Sequence, residues 1–305
     1  MRRPLILGAA ITAVVATAAS AAWLSTPPAA RFTQLVTRHL HATDTRPVPL
    51  DEVAPKFLTA LIATEDERFY QHHGIDVLGV GRAAAYDIVH LSFAQGASTL
   101  TEQLAKLLYL NGNDHSPWRK LQDMALAFKL EDRYSKRTIL AAYVNTAYFG
   151  DGAYGIAAAS ARYFGTQPRN LDLSQATLLA GLPQAPSADD PIDHPGAARA
   201  RQIAVLRSMV RTGAISAARA SMVAAHPLRL RTGLRLPPSP VSIARPAAVD
   251  WLTAAVGTIL VLIAIAVGRA RRHAPRRVLF AAASAAAIAA FVLGAATVLQ
   301  SISTL

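Results

Sequence analysis

The sequence contains no cysteine, which excludes disulfides, thiolate nucleophiles and Cys-ligated zinc. Strand-like alternation is scarce between Arg31 and Leu230, and no repeat of fixed period is visible, so a β-rich domain is not expected there. Acidic side chains are also few: 19 Asp and Glu stand against 31 Lys and Arg, a net charge of +12 over 305 residues. A surplus of that size suits nucleic acid, but its distribution argues against such a partner. Seven of the cations (Arg2, Arg3, Arg269, Arg271, Arg272, Arg276 and Arg277) flank long uncharged runs. With these and Asp250 set aside, a net charge of +6 remains on the middle region. That remainder suits phosphates and a membrane surface. No nucleic-acid partner is expected.

The uncharged runs are Leu5–Leu24, Trp251–Gly268 and Val278–Leu305. At about 1.5 Å rise per residue, each is long enough to read as a membrane-spanning helix. Ala19-Ser20-Ala21 resembles a cleavage site, so a removable signal peptide is the rival reading of the first run. Signal-peptide apolar cores usually run about 7–15 residues, and the greater length here favours a retained anchor. A buried hairpin of a soluble protein would not explain why arginines bracket the C-terminal runs. By the positive-inside rule, the N-terminus and the loop "RARRHAPRR" face the cytoplasm. The region from about Ser25 to Asp250 then lies on the outer, periplasmic side of the bacterial inner membrane. The expected organisation is an anchor at 1–24, a domain at 31–230, a Pro-, Ser- and Arg-rich linker at 231–250 and a membrane hairpin at 251–305.

Within the domain the periodicity is helical nearly throughout, which predicts a mainly α fold. In "GASTLTEQLAKLLYL" Thr99 can cap a helix, with Glu102 completing a capping box. Leu100, Leu104, Leu107 and Leu108 form an apolar stripe, and Thr99, Gln103 and Lys106 mark another face. In "HSPWRKLQDMALAFKLEDRYSKRTIL" Ser116 caps and Pro117 occupies the first helical position. Leu121, Met124, Ala125 and Phe128 face inward there, while Arg119, Lys120 and Asp123 share another face. Lys129, Glu131 and Arg133 read as a solvated face. Pro183, Pro186 and Pro191 stiffen the loop "LPQAPSADDP".

Chemistry concentrates in three polar groups. "ATEDERFYQHHGIDVLG" holds four acidic residues, two adjacent histidines and two glycines, with Glu65 and Asp66 leading. The second group is Thr99, Gln103 and Lys106, and the third Arg119, Lys120 and Asp123. Two separated acids with a cluster of cations suit displacement of an anionic leaving group. A carboxylate takes a proton from an attacking hydroxyl, while Lys and Arg stabilise charge on a departing phosphate. Each group also has an ordinary reading. The acidic stretch can be a solvated helix end, Glu102 a cap only, and Arg119–Asp123 a surface i,i+4 pair.

Order and spacing point further. "EDERFYQHHG" (Glu65–Gly74), "QGASTLTEQLAK" (Gln95–Lys106), "RKLQD" with "YSKRTIL", "YVNTAYFGDGAYGIAAASARYFG" and "LLAGLPQAPSADDP" follow one another. In these five motifs, from about Val48 to Leu230, the chain resembles the peptidoglycan glycosyltransferases. That family (glycosyltransferase family 51) is shared by monofunctional enzymes and the polymerase module of penicillin-binding proteins. The resemblance implies a lysozyme-like helical fold with a membrane-dipping jaw around Val77–Phe93 and Leu107–His115. It implies lipid II and the growing glycan strand as substrates, membrane lipid as a contact and cell-wall synthesis proteins as partners.

By that resemblance Glu65 is the general base and Asp123 the second catalytic carboxylate. Lys106, Arg119 and Lys120 hold the pyrophosphate, and Ser98, Thr99 and Gln103 line the donor side. Asp66, Phe69, His72 and Gly74 shape the surroundings of the base. A divalent cation, Mg2+ or Mn2+, is the implied cofactor, with Asp123 its candidate ligand.

Several positions depart from the family pattern. Asp123 stands where Glu is usual, Glu102 replaces the first Gln of a Gln-Gln pair, Leu107 an Asn, and Ala141 a Glu. The shorter Asp123 bears most directly on rate. The stretch after Leu230 leaves room for the linker and hairpin, so no transpeptidase module is expected. The alternative is a catalytically weak lipid II- or glycan-binding membrane protein that serves wall assembly. A lysozyme-type hydrolase fits less well, since it needs two carboxylates flanking one sugar bond and no pyrophosphate cations.

Overall fold

The computed structural model describes residues 16–80, 98–110, 116–239 and 243. The two C-terminal uncharged runs, residues 5–15 of the first and most of the expected jaw lie outside these residues. Among the described residues, no helix is long and apolar enough to cross a membrane.

The described chain is mainly helical. Its α-helices run in the order α1 (residues 16–25), α2 (Phe32–Ala42), α3 (Pro55–Glu65), α4 (Leu100–Tyr109), α5 (Pro117–Arg133), α6 (Lys136–Thr146), α7 (Gly155–Phe164), α8 (Leu173–Gly181), α9 (Pro195–Arg211) and α10 (Ala217–Ala225). Strand structure among the described residues is one short antiparallel pair, β1 (Leu228–Arg229) with β2 (Arg235–Leu236), in the register Leu228 to Leu236. Helix starts follow capping chemistry. Thr99, Ser116, Ser135, Asp172 and Ser216 each accept a backbone N–H with the side chain, and prolines open α3, α5 and α9.

The contacts divide the described chain into two compact units. In the first, residues 16–31, 70–80, 98–110 and 116–134, α4 packs on α5. Leu100, Leu104 and Leu108 are buried as the stripe predicts, with Ala105 beside them. Met124, Ala125 and Phe128 form a cluster with Ala19, Ala22 and Ile75, and Leu121 and Trp23 pack against it.

The face expected to be solvated at Lys129 and Glu131 is instead a structural seam. Lys129 Nζ donates to the carbonyls of Trp23 and Thr26, at 2.7 and 2.9 Å, and so fastens the end of α1. Burial pushes its pKa down. Glu131 is buried and accepts the Thr101 hydroxyl at 2.5 Å. Arg133 is exposed as expected.

The second unit, residues 32–69, 135–239 and 243, is built around α3, α8 and α9, which pack on one another. Phe57, Ala60, Leu61, Leu179 and Val205 on these helices are all buried. Asn145 fastens an extended segment to α6. Its Oδ1 accepts the Val48 N–H at 2.8 Å, while its Nδ2 donates to the Val48 carbonyl at 2.9 Å.

Part of the expected linker is in contact with this unit. Leu236 joins a core with Leu178, Ala198 and Leu230, and Ile243 joins one with Ile203 and Leu206, while most of residues 231–239 stay exposed.

Candidate active site

Glu65 is the last residue of α3, where the negative end of the helix dipole opposes a carboxylate. Its side chain is nonetheless only 7% exposed, and its Oε1 accepts Nη2 of Arg201 at 2.9 Å. Arg201 is aimed by its other arm, since its Nε donates to the Gly181 carbonyl at 2.9 Å. That approach needs glycine: a Cβ at Gly181 would lie 2.8 Å from Arg201 Cγ and 3.2 Å from Val205 Cγ2. The chain Gly181–Arg201–Glu65 thus fixes the carboxylate from two helices distant in sequence.

Beneath it, Tyr143 is fully buried, and burial with the nearby Glu65 charge drives its phenol well above the usual range. It is a neutral neighbour. The adjacent acid Glu67 pairs with Arg211, so α9 supplies a cation to each of two residues in the acidic stretch.

In the other unit, Arg119 and Asp123 are both buried, one turn apart on α5. Arg119 Nε donates to Asp123 Oδ1 at 3.2 Å and its Nη2 to the Leu110 carbonyl at 2.6 Å. This pair is therefore no ordinary surface contact. Burial raises the Asp123 pKa, opposed by the hydrogen bond and charge of Arg119 and by Lys120 and Lys106. Lys106 is exposed but acts on the same carboxylate. Lys120 Nζ donates to Ser98 Oγ at 2.7 Å and forms an ion pair with Glu102. Glu102 is thus more than the helix cap the sequence suggested.

The remaining candidates divide between the two units. Thr99 is buried, and its hydroxyl donates to the Gly74 carbonyl at 2.7 Å while accepting the Glu102 N–H at 3.1 Å. Its polar capacity therefore serves the fold. Gly74 has φ +78°, and a Cβ there would lie 2.7 Å from the Phe128 Cα and N. Only glycine lets the chain cross α5 so closely. Gln103 and His72 are half-buried. Asp66 is buried at the end of α3, where its carbonyl accepts the Phe69 N–H at 2.9 Å. Phe69 is fully buried, with Lys136 Nζ 4.4 Å from its ring centroid. Sequence reasoning missed Arg201. Its signal was an arginine inside the apolar helical run "ARQIAVL", which carries no mark of its partner.

A family model described as transglycosylase matches residues 33–210, more than half of the chain. The chain belongs to the transglycosylase family. Its helical domain is a peptidoglycan glycosyltransferase domain. A protein of Cupriavidus necator named as a transglycosylase is 42% identical over 184 residues, which are 60% of this chain and 79% of that protein. Penicillin-binding protein 1F of Bacillus subtilis is 42% identical over 178 residues, 58% of this chain and 25% of that one. Penicillin-binding protein 1A of Neisseria gonorrhoeae is 47% identical over 151 residues, 50% of this chain and 19% of that one. The transglycosylase match takes in all three polar groups and Arg201.

Proposed function

We infer that this transglycosylase polymerises lipid II into glycan strands, releasing undecaprenyl pyrophosphate. In this reading the Glu65 carboxylate takes the proton of the acceptor's 4-hydroxyl. The freed oxygen pair attacks C1 of the donor's N-acetylmuramic acid, and the C1–O bond breaks with its electrons leaving on the pyrophosphate. Configuration at C1 inverts from α to β. Lys106, Arg119 and Lys120 meet the anion that leaves, and Asp123 orients Arg119.

The observation that carries the reading is the enclosed Glu65 carboxylate, held at 2.9 Å by an arginine and flanked by a buried phenol. A base so enclosed and oriented starts close to the geometry that proton transfer needs. Its partner is a positioning residue: Arg201 acts through Glu65.

The implied divalent cation fits less well. Asp123 faces Arg119, Lys120 and Lys106, and among the described residues no three His, Cys, Asp or Glu side chains gather as a metal group. A carboxylate ringed by cations is a poor donor set for a resident metal.

We place the domain outside the inner membrane, anchored by residues 1–24 and by the hairpin at 251–305, from the charge pattern of the sequence. Lysozyme-like topology, cell-wall synthesis partners and contact with membrane lipid belong to the same reading. A catalytically weak lipid II binder is the second reading, favoured by the shortened Asp123 carboxylate and its engagement by Arg119.

The test is the full chain in detergent with purified lipid II. Wild type is expected to yield glycan polymer. Glu65→Gln should lower the rate by at least the roughly 10²–10⁴-fold typical of general acid–base catalysis, with helicity unchanged. Binding of lipid II without polymer from wild type would select the second reading, and near-normal turnover in Glu65→Gln would remove this residue from the chemistry.

A further inference from the structure

Lys120 is one of three cations assigned to the pyrophosphate, yet its charge is already answered within its own unit. Its ammonium pairs with Glu102 and donates to Ser98 Oγ at 2.7 Å. The two partners differ in exposure. The Lys120 side chain is 40% exposed, whereas that of Glu102 is 2% exposed.

Glu102 is also fixed in place. It sits in the first turn of α4, its backbone N–H is held by Thr99 Oγ1 at 3.1 Å, and Thr99 is itself tied to Gly74. Withdrawing the ammonium would take a close opposite charge away from a buried carboxylate, which is costly.

Asp123 likewise answers Arg119. Of the three cations, Lys106 alone is exposed as a residue. The cluster carries three positive charges against two negative ones, where glutamine at Glu102 would leave one negative charge.

We propose that Glu102 is an internal competitor for the diphosphate: it holds Lys120 against an incoming anion and sets the diphosphate affinity of this chain below what its cations alone would give. The proposal rests on the reading of Lys120 as a diphosphate ligand. It assigns Glu102 a role in ligand affinity in addition to its role in the helix start. An anion must draw Lys120 partly away from Glu102, so binding weakens and release of the leaving diphosphate becomes easier. Gln at this position keeps the size and an oxygen that accepts from Lys120, but removes the competing charge.

The experiment measures binding of inorganic pyrophosphate, without divalent cations, to the full chain in detergent by calorimetry, together with glycan formation from lipid II. Glu102→Gln should bind pyrophosphate about tenfold more tightly than wild type, as expected for loss of one close opposing charge. The gain should vanish when Lys120→Gln is added, because the two residues act as a coupled pair. Circular dichroism and the thermal midpoint of each variant check that α4 and α5 remain folded.

If wild type makes glycan and Glu102→Gln binds no more tightly, the inference falls while the polymerase reading stands. If wild type makes no glycan but Glu102→Gln still gains affinity through Lys120, the polymerase reading falls and the inference stands. A gain that survives Lys120→Gln also overturns the inference, as does failure of both wild type and Glu102→Gln to bind pyrophosphate at millimolar concentration.

Discussion

The two units treat their charged residues in opposite ways. In the unit that holds Glu65, the carboxylate receives its cation from a helix 136 residues further along the chain, and that arginine is aimed by a glycine carbonyl. In the unit that holds the cations, charges are answered at short range, Arg119 by Asp123 four residues on and Lys120 by Glu102 eighteen residues back. One arrangement presents a single carboxylate in fixed orientation. The other holds two cations against carboxylates of its own. Under the proposed function, the contrast suits a base held in place and a diphosphate site whose partners exchange.

The largest effect outside Glu65 is expected from breaking the frame of the cation unit. Gly74→Ala puts a Cβ 2.7 Å from the backbone of Phe128, at φ +78°. The strain and the displaced backbone should together cost about 3 kcal/mol or more, read as a fall in the thermal midpoint. An unchanged midpoint would show that the crossing of α5 is looser than the contact implies.

Next is the carboxylate's partner. Arg201→Met keeps much of the packing volume but leaves Glu65 without its 2.9 Å donor. If Arg201 orients the base, kcat should fall roughly 10- to 100-fold, the scale of an ångström's misplacement, with KM for lipid II little changed. Arg201→Lys should restore part of the rate. A parallel loss of stability and activity without rescue by Lys would make Arg201 a packing residue only.

The same contrast explains what could be read before the structure. Arg119, Lys120 and Asp123 were legible because helical spacing places them on one face, and the caps at Thr99 and Ser116 were legible from short-range chemistry. Arg201 was not. Arg199 stands two residues earlier in the same apolar helix, yet it donates to the His226 carbonyl at 2.9 Å and supports the end of α10. Sequence gives these two arginines the same appearance, and tertiary packing separates their roles.

Lys129 and Glu131 were misread for a related reason. Charge on a helix implies solvent until a carbonyl or hydroxyl from another element meets it. Residues 231–239 looked like a linker because Pro, Ser and Arg dominate them, while one buried leucine, Leu236, anchors them.

Smaller effects are expected from Asp123, where the cation unit can be tuned. Asp123→Glu restores the longer carboxylate usual in the family. If reach toward Arg119 limits the rate, kcat should rise a few-fold, as expected for a modest improvement in placement. A fall in kcat would show that the neighbouring side chains are fitted to the shorter acid.

The smallest expected effect is a change in the pH dependence of stability. Burial raises the Asp123 pKa in the folded protein, against the opposing pull of Arg119, Lys120 and Lys106. The folded chain therefore binds this proton more readily than the unfolded chain, whose aspartates titrate near about 3.9. Stability from that proton is fully present below about pH 3.9 and is lost as pH rises through the higher folded value. Asp123→Asn has no such proton to lose. It also weakens the contact with Arg119, but that penalty does not follow the Asp123 titration. Denaturation midpoints of both proteins in one detergent, from about pH 4 to about pH 7, should show the variant gaining on wild type through this window and then levelling off. Parallel curves would mean that Arg119, Lys120 and Lys106 together cancel the effect of burial on Asp123.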